Sequence, residues 1–327
     1  MPPKESRCDD QSPYPDVPDP TSLTDVKPLG EAPRDHNHVT VGADGSPASE
    51  RAVRWAAATA AGRKIPLHLV HAVDFAPSGW TKLPFFRPSQ VFEWSEAEAQ
   101  ALLKEAAETA EAVAPDLEIT AELALTGSAK WLVELSRTSR MIVLGATGST
   151  KMGEAFLGST PVSVAGHAEC PVVVVRGPEG PVPDERPVVV GVDGSPASRQ
   201  AVDLAFEEAS WRRVDLVAVH VWSDLKVGEI DESPLDFDPR AFEEYEHSLL
   251  SECLAGYGER YPDVTVHRKV YVDGPRAHLQ SWSEKAQLVV VGTRGRGGFK
   301  GMVLGSTGNA LMREARCPVM VVRPVTS

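Results

Sequence analysis

The chain has 327 residues, 42% of them hydrophobic and 24% charged, with a formal net charge of -13 from 33 Lys+Arg against 46 Asp+Glu. That composition is typical of a soluble globular protein, and the length suits two domains of ordinary size. The acidic surplus excludes a nucleic-acid backbone or an anionic membrane as the main partner, because both need a basic face.

No apolar run approaches the roughly 20 residues of a membrane span. The N-terminus lacks the basic-then-apolar pattern of a signal peptide, so a cytoplasmic location is expected. The four cysteines, Cys8, Cys170, Cys253 and Cys317, form no C-x-x-C pair and no metal-ligand spacing. Cys170 and Cys317 each precede a proline at the start of an apolar run, which reads as a buried small side chain rather than a redox group. No metal-ligand set is expected from the side chains.

Residues 1–35 are crowded with Pro, Asp and Ser and show no apolar period. Such a segment buries too little surface to offset its ordering entropy and reads as a disordered tail. The first domain, 36–177, opens with a strand at His38–Gly42. Ser46-Pro47 then supplies an N-cap with proline at the first helical position. The helix continues through Ala52, Val53, Trp55, Ala56 and Ala60 and is expected to stop at Gly62. Pro66–Val73 reads as a second strand, followed by a long loop carrying Phe75, Trp80, Phe85 and Phe86. Glu96–Val113 reads as a helix, Leu117–Leu125 as a strand, Ala129–Thr138 as a helix and Met141–Leu144 as a fourth strand. A short helix after Gly158 and a fifth strand at Pro171–Arg176 complete the unit. The βαβαβαβαβ order implies a parallel sheet covered by helices on both faces, with right-handed crossovers.

Residues 178–186, rich in Pro and Gly, form a linker, and the pattern restarts over 187–327. Gly191-Val192-Asp193-Gly194-Ser195-Pro196-Ala197-Ser198 repeats Gly42–Ser49 almost letter for letter, displaced by 149 positions, and His220 repeats His71 at the same displacement. A later motif is displaced by 147: Gly145-Ala146-Thr147-Gly148 and Gly158-Ser159-Thr160 return as Gly292-Thr293-Arg294-Gly295 and Gly305-Ser306-Thr307. The two-residue difference therefore falls between the second and fourth strands, where loops absorb length cheaply. A repeat of this size is a duplicated domain.

The later motif has the spacing G-x2-G-x9-G-S in both halves, after a strand and before a helix. Glycines let the backbone turn sharply and approach an anion, and a Gly-Ser step places hydroxyls beside the open N–H groups of a helix start. Arg294 and Arg296 add charge-assisted donors in the second half. The motif thus reads as a phosphate cradle, and the protein as a nucleotide binder. Gly42 and Gly191 permit close backbone approach. Asp44 and Asp193 can accept from a ribose hydroxyl, hold a hydrated Mg²⁺, or simply stabilise their own turns. His71 and His220, on inner strands, read as hydrogen-bonded structural groups before catalytic ones. The loop aromatics Trp80, Phe85, Phe86, Trp94, Trp222, Phe237 and Phe242 either cap a base or pack. Neither G-x-x-x-x-G-K-[ST] nor G-x-G-x-x-G after a first strand is present, which removes the P-loop and dinucleotide classes. No catalytic Ser/His/Asp set is brought together, and no candidate base stands beside the loop.

These residues resemble the universal stress protein family: V-G-x-D-G-S near the start of each half, G-x2-G-x9-G-[ST] later, and a closing C-P-V-x-V-V-R strand at Cys170–Arg176 and Cys317–Arg323. The resemblance covers about 38–323. It implies an α/β fold of two tandem Rossmann-like domains, each a five-stranded parallel sheet with helices on both faces, paired through the fifth strands, and a homodimer as the assembly. It also implies ATP, with Mg²⁺, as cofactor and no catalytic residues. Adenine is then expected against the backbone of Ala72 or Val221, with Asp224 lining the second site. Phosphates are expected on Gly145–Gly148 with Ser149 and Lys151, then Gly158, Ser159 and Thr160. In the second half they fall on Gly292–Gly295 with Arg296, Gly297 and Gly298, then Gly305, Ser306 and Thr307.

The halves are unequal, because Thr147 stands for Arg294 and Pro161 for Gly308. Tighter ATP binding is therefore expected in the second half, with Lys151 compensating in part in the first. The function expected is a nucleotide-dependent regulator in stress response or growth arrest. The alternatives are a slow ATPase or adenylate-transferring enzyme, and a scaffold that has lost its ligand.

Overall fold

The structure is a computed structural model describing residues 37–73, 88–148, 157–177, 185–222, 239–272, 274–295 and 303–324, with side chains from 96 and 244 in the two segments that open on a helix. The N-terminal tail, the loops with Phe75, Trp80, Phe85, Phe86 and Phe237, and most of the linker lie outside the described residues, whereas Trp94 and Phe242, expected in those loops, fall within helices that start at Pro88 and Pro239. The candidates Ser149, Lys151, Asp224, Arg296, Gly297 and Gly298 also lie outside the described residues.

In the first half, strands β1 (Val39–Gly42), β2 (Leu67–Ala72), β3 (Ile119–Ala124), β4 (Met141–Gly145) and β5 (Val172–Val175) alternate with helices α1 (Pro47–Arg63), α2 (Pro88–Val113), α3 (Ser128–Leu135) and α4 (Ser159–His167). The second half repeats this. Its strands are β6 (Val188–Val192), β7 (Leu216–Val221), β8 (Val266–Tyr271), β9 (Leu288–Gly292) and β10 (Val319–Val322). Its helices are α5 (Pro196–Arg212), α6 (Pro239–Cys253), α7 (Tyr257–Arg260), α8 (Pro275–Ser283) and α9 (Ser306–Glu314). Within each half all pairings are parallel, in the order β3-β2-β1-β4-β5 and β10-β9-β6-β7-β8.

The two sheets are one. Strands β5 and β10 pair antiparallel, Val319 opposite Val174 and Val321 opposite Val172, and close a ten-stranded sheet. Both strands are buried throughout, which accounts for their unbroken apolar sequence. Burying one such valine contributes on the order of 1.5–3 kcal/mol. The fifth-strand pairing expected from the resemblance therefore occurs inside one chain, and neither fifth strand keeps an edge for a second copy.

Period-2 alternation sends successive strand residues to opposite faces. Val39, Val41, Met141 and Val143 pack under α1, α2, α5 and α6, while Ile142, Leu144, Val172 and Val174 pack under α3, α4, α8 and α9, so each core runs across the seam. Leu67 pairs with Ile119 and Leu216 with Val266, two residues nearer in sequence. The length difference between the halves thus lies between the second and third strands of each.

Helix α1 does not stop at Gly62. It runs to Arg63, and Lys64 takes the left-handed cap position with φ 55°, as Arg213 does for α5. Gly62 is required for space instead: a Cβ there would lie 2.7 Å from Cζ2 of Trp211 on α5. Next to this contact, Glu208, 2% exposed, receives Arg63 from the first half and Arg212 from its own helix, the latter at 3.0 Å. Arg63 also bonds Glu207 at 3.1 Å, and Arg140 reaches the same carboxylate. The Arg63 guanidinium lies 4.4 Å from the Trp211 ring centroid, and that of Arg212 5.5 Å from Trp55.

On the opposite face the halves exchange arginines. Arg176 Nε donates to Met312 O at 2.6 Å and Arg323 to Ala168 O at 3.5 Å, each at the C-terminal end of the other half's helix, where a cation is favoured.

Candidate functional site

In the order 3-2-1-4-5 the chain leaves β1 toward one face of the sheet and β4 toward the other, so a crevice opens beyond their carboxyl ends. Such a cleft exists in each half. The first, of about 350 Å³, includes Gly42, Asp44, His71, Ala72, Gly145, Thr147, Gly148, Gly158, Ser159 and Thr160 in its wall. The second, of about 430 Å³, includes Gly191, Asp193, His220, Val221, Gly292–Gly295, Gly305, Ser306 and Thr307. Candidates placed by spacing from three separate stretches thus converge.

The local architecture is the same in both. Ser46 caps α1 by accepting from Ser49 N at 3.1 Å, and Ser195 caps α5 through Ser198 N at 3.1 Å. Asp44 Oδ1 accepts from Ser46 N at 3.0 Å, and Asp193 Oδ1 from Ser195 N at 2.9 Å. The turn-stabilising role of the aspartates is therefore realised, through one oxygen. The other oxygen faces the glycine loop: a Cβ on Gly148 would lie 3.0 Å from Asp44 Oδ2, and on Gly295 2.3 Å from Asp193 Oδ2.

None of the glycines in the G-x2-G-x9-G spacing has a positive φ, and the first two of each half are needed for space. A Cβ on Gly145 would meet Ala48 C at 2.6 Å and Ser49 N at 2.8 Å, and on Gly292 Ala197 C at 2.9 Å. The first glycine is thus needed for the close seating of α1 on β4, and of α5 on β9. The loop is pinched shut where Gly158 N donates to Ala146 O at 2.9 Å and Gly305 N to Thr293 O at 2.7 Å. Gly158 and Gly305 are the N-caps of α4 and α9, with no side-chain cap bond. The first amides of these helices are left for solvent or a ligand.

Two candidates sit differently from the rest. Ala146 packs into the apolar core and is not part of the cleft wall. Thr293 is 1% exposed; its amide donates to Val322 O at 2.7 Å, and its hydroxyl has no hydrogen-bond partner among the described residues. Thr293→Val is expected to raise unfolding stability by about 1 kcal/mol, by removing an unsatisfied buried hydroxyl at constant shape. Denaturant titration of the two proteins checks it, and an unchanged or lower midpoint would show that the hydroxyl is satisfied.

His71 and His220 are hydrogen-bonded as expected, but not alike. Nδ1 donates to Ala43 O at 2.6 Å in the first and to Val192 O at 2.6 Å in the second. His220 Nε2 also meets Glu246 Oε2 of α6 at 2.7 Å, in a buried pair.

Sequence reasoning missed the contribution of the helix that follows the third strand of each half. Ser128, Trp131 and Leu132 of α3 line the first cleft, and Pro275 and Leu279 of α8 the second. The available signal was Gly127 and Gly274, which precede these helices at the 147-residue displacement. Ser49 and Ser198, inside the repeated motif, also line the clefts; their hydroxyls accept from Asp44 N and Asp193 N at 3.0 Å. Burial pushes the Cys170 and Cys317 thiols up to about 12, which leaves them protonated near neutrality. No group of three or more His, Cys, Asp or Glu suited to a metal occurs among the described residues, and no described helix is long and apolar enough to cross a membrane.

Fold and clefts together define a doubly wound α/β protein of duplicated domains, with a glycine loop and a helix start at each switch point. The universal stress protein family matches residues 36–176 and 185–323. A universal stress protein of Mycobacterium tuberculosis is 43% identical over 296 residues, spanning 89% of this chain and 98% of that protein. This chain belongs to the universal stress protein family. The solved structure of a universal stress protein from Archaeoglobus fulgidus superposes with TM-score 0.62 at 19% identity, covering 89% of this chain and 97% of that one. Another universal stress protein, 26% identical over 43% of this chain with TM-score 0.34, has a crystal structure in complex with cAMP.

Proposed function

We propose that the clefts bind adenine nucleotides, ATP above all, and that the protein is a nucleotide-dependent regulator in stress response or growth arrest rather than an enzyme. The observation that carries this reading is the pairing, twice, of an uncapped helix start with a glycine loop at a switch point. Open amides and a helix dipole hold phosphate there, and the base lies against Ala72 or Val221 at the inner end of the cleft. The residues present fit Mg²⁺ as well. The outer oxygens of Asp44 and Asp193 stand over the loops that take the phosphates, and two anions this close need a cation between them. When bound, Mg²⁺ supplies that charge compensation.

Regulation requires nucleotide to bind one conformation or partner complex better than another. Both fifth strands are used inside the chain, so a homodimer would be joined by other surfaces; sedimentation of the purified protein tests it.

Mass spectrometry of the denatured protein is expected to release ATP, and calorimetry of stripped protein to show magnesium-dependent ATP binding. Arg294→Ala, which removes a charge-assisted donor from the rim of the second cleft, is expected to weaken ATP there about tenfold or more. Protein that is empty as purified and indifferent to added ATP would end this reading. A steady release of phosphate from ATP would favour the enzyme instead.

A further inference from the structure

The two clefts share a backbone but not a chemistry, and at the phosphate end the differences all run the same way. Helix α9 offers amides at Ser306, Thr307 and Gly308, whereas α4 offers them only at Ser159 and Thr160, because Pro161 has no N–H. Arg294 stands at the rim of the second cleft, with Ser195 Oγ donating to its carbonyl at 3.2 Å. In the first cleft the same backbone bond, Ser46 Oγ to Thr147 O at 3.3 Å, carries a neutral threonine. No lysine or arginine is among the described residues lining the first cleft. Thr160 Oγ1 is further tied to Ser128 Oγ of α3 at 3.1 Å. Pro275 takes the place of Ser128 in the second half, so Thr307 lacks that tether. Among the described residues, the phosphate end of the first cleft is therefore poorer in positive charge and in open donors.

The inner end differs in the opposite sense. His220 has both ring nitrogens engaged, by Val192 O and by Glu246. At the displacement that relates β3 to β8, Ala99 occupies the place of Glu246. His71, half-buried in the wall of the first cleft, donates from Nδ1 to Ala43 O, so in the neutral ring its Nε2 is an acceptor. No described residue bonds that nitrogen. Trp131 of α3 gives this cleft an aromatic face, as Trp222 gives the second.

We infer that the first cleft selects an adenine nucleoside with one phosphate or none, read by a donor of the ligand on His71 Nε2, whereas the second selects the polyphosphate. This rests on the reading of both clefts as adenine-nucleotide sites. Each triphosphate oxygen without a donor keeps its desolvation cost, so the cleft with fewer donors discriminates against the longer chain.

The test is calorimetry on the full-length protein, stripped of ligand, with ATP, AMP and adenosine. Two classes of site are expected: ATP prefers one by about tenfold or more, and AMP prefers the other. Arg294→Thr is expected to weaken the tight ATP site and to leave the AMP-preferring site unchanged. The double substitution Thr147→Arg with Pro161→Gly is expected to strengthen ATP at the weaker site about tenfold, a gain that a misfolded protein cannot mimic. Two ATP sites of equal affinity, or AMP favouring the site that Arg294→Thr damages, would overturn the inference and leave adenine-nucleotide binding standing. Absence of binding by all three ligands would overturn the functional reading itself.

Discussion

Glu208→Ala is expected to lower the unfolding free energy by about 3–5 kcal/mol, a large fraction of what holds a domain folded. The carboxylate is 2% exposed and takes one guanidinium from each half, and the side chains of Arg63 and Arg212 are 8% and 13% exposed. Removing it leaves two poorly solvated cations side by side, which is far more costly than losing a surface ion pair. Arg63 keeps its contact with Glu207 at 3.1 Å, which sets the loss toward the lower end of that range. Urea unfolding followed by intrinsic tryptophan fluorescence measures it directly, because Trp55 and Trp211 lie against these guanidiniums. Glu208→Gln, which keeps the shape and two hydrogen-bonding atoms, is expected to fall between wild type and alanine. A loss below 1 kcal/mol in the alanine variant would show that the guanidiniums find water or other partners.

Gly145→Ala is the second large effect. The added methyl would be built 2.6 Å from Ala48 C and 2.8 Å from Ser49 N, backbone atoms in the first turn of α1. Backbone cannot rotate away as a side-chain tip can, so α1 must shift off β4. The cost of such overpacking is typically about 1–3 kcal/mol. The shift also moves Ser49 and the Asp44 turn bonded to it, so nucleotide binding at the first cleft is expected to be lost while the second persists. Calorimetry would read a fall from two sites to one alongside a lower unfolding midpoint. Retention of both sites would mean that the seating of α1 has slack that these distances do not allow.

Much of this architecture was legible in the sequence because it is written in short-range pattern. Apolar runs ending in glycine, the Ser-Pro caps at 46–47 and 195–196, and the recurring glycine spacing specify strands, helix starts and loop positions without knowledge of distant partners. The clefts followed, since strand order alone locates a switch point. What could not be read depends on contacts between residues far apart in the chain. Gly62 looks like a helix stop, yet its meaning lies in a tryptophan 149 positions later. Gly145 looks like a phosphate-loop glycine, yet what requires it is the first turn of α1. Glu208 belongs to no motif, and only the seam shows that it joins the halves. The α3 and α8 walls escaped notice for a related reason, as their side chains carry no chemistry until the fold places them opposite a helix start. The unequal histidines are the clearest case. Each occupies the fifth position of its strand after a valine, and the difference arises from Glu246 on one packed helix and Ala99 on the other.

The antiparallel junction of β5 with β10 has a geometric corollary. Strands of the two halves run in opposite directions, so their carboxyl ends, and the cleft mouths beyond them, lie at opposite ends of the one sheet. A partner pressed against one end of the sheet therefore covers one mouth and leaves the other open.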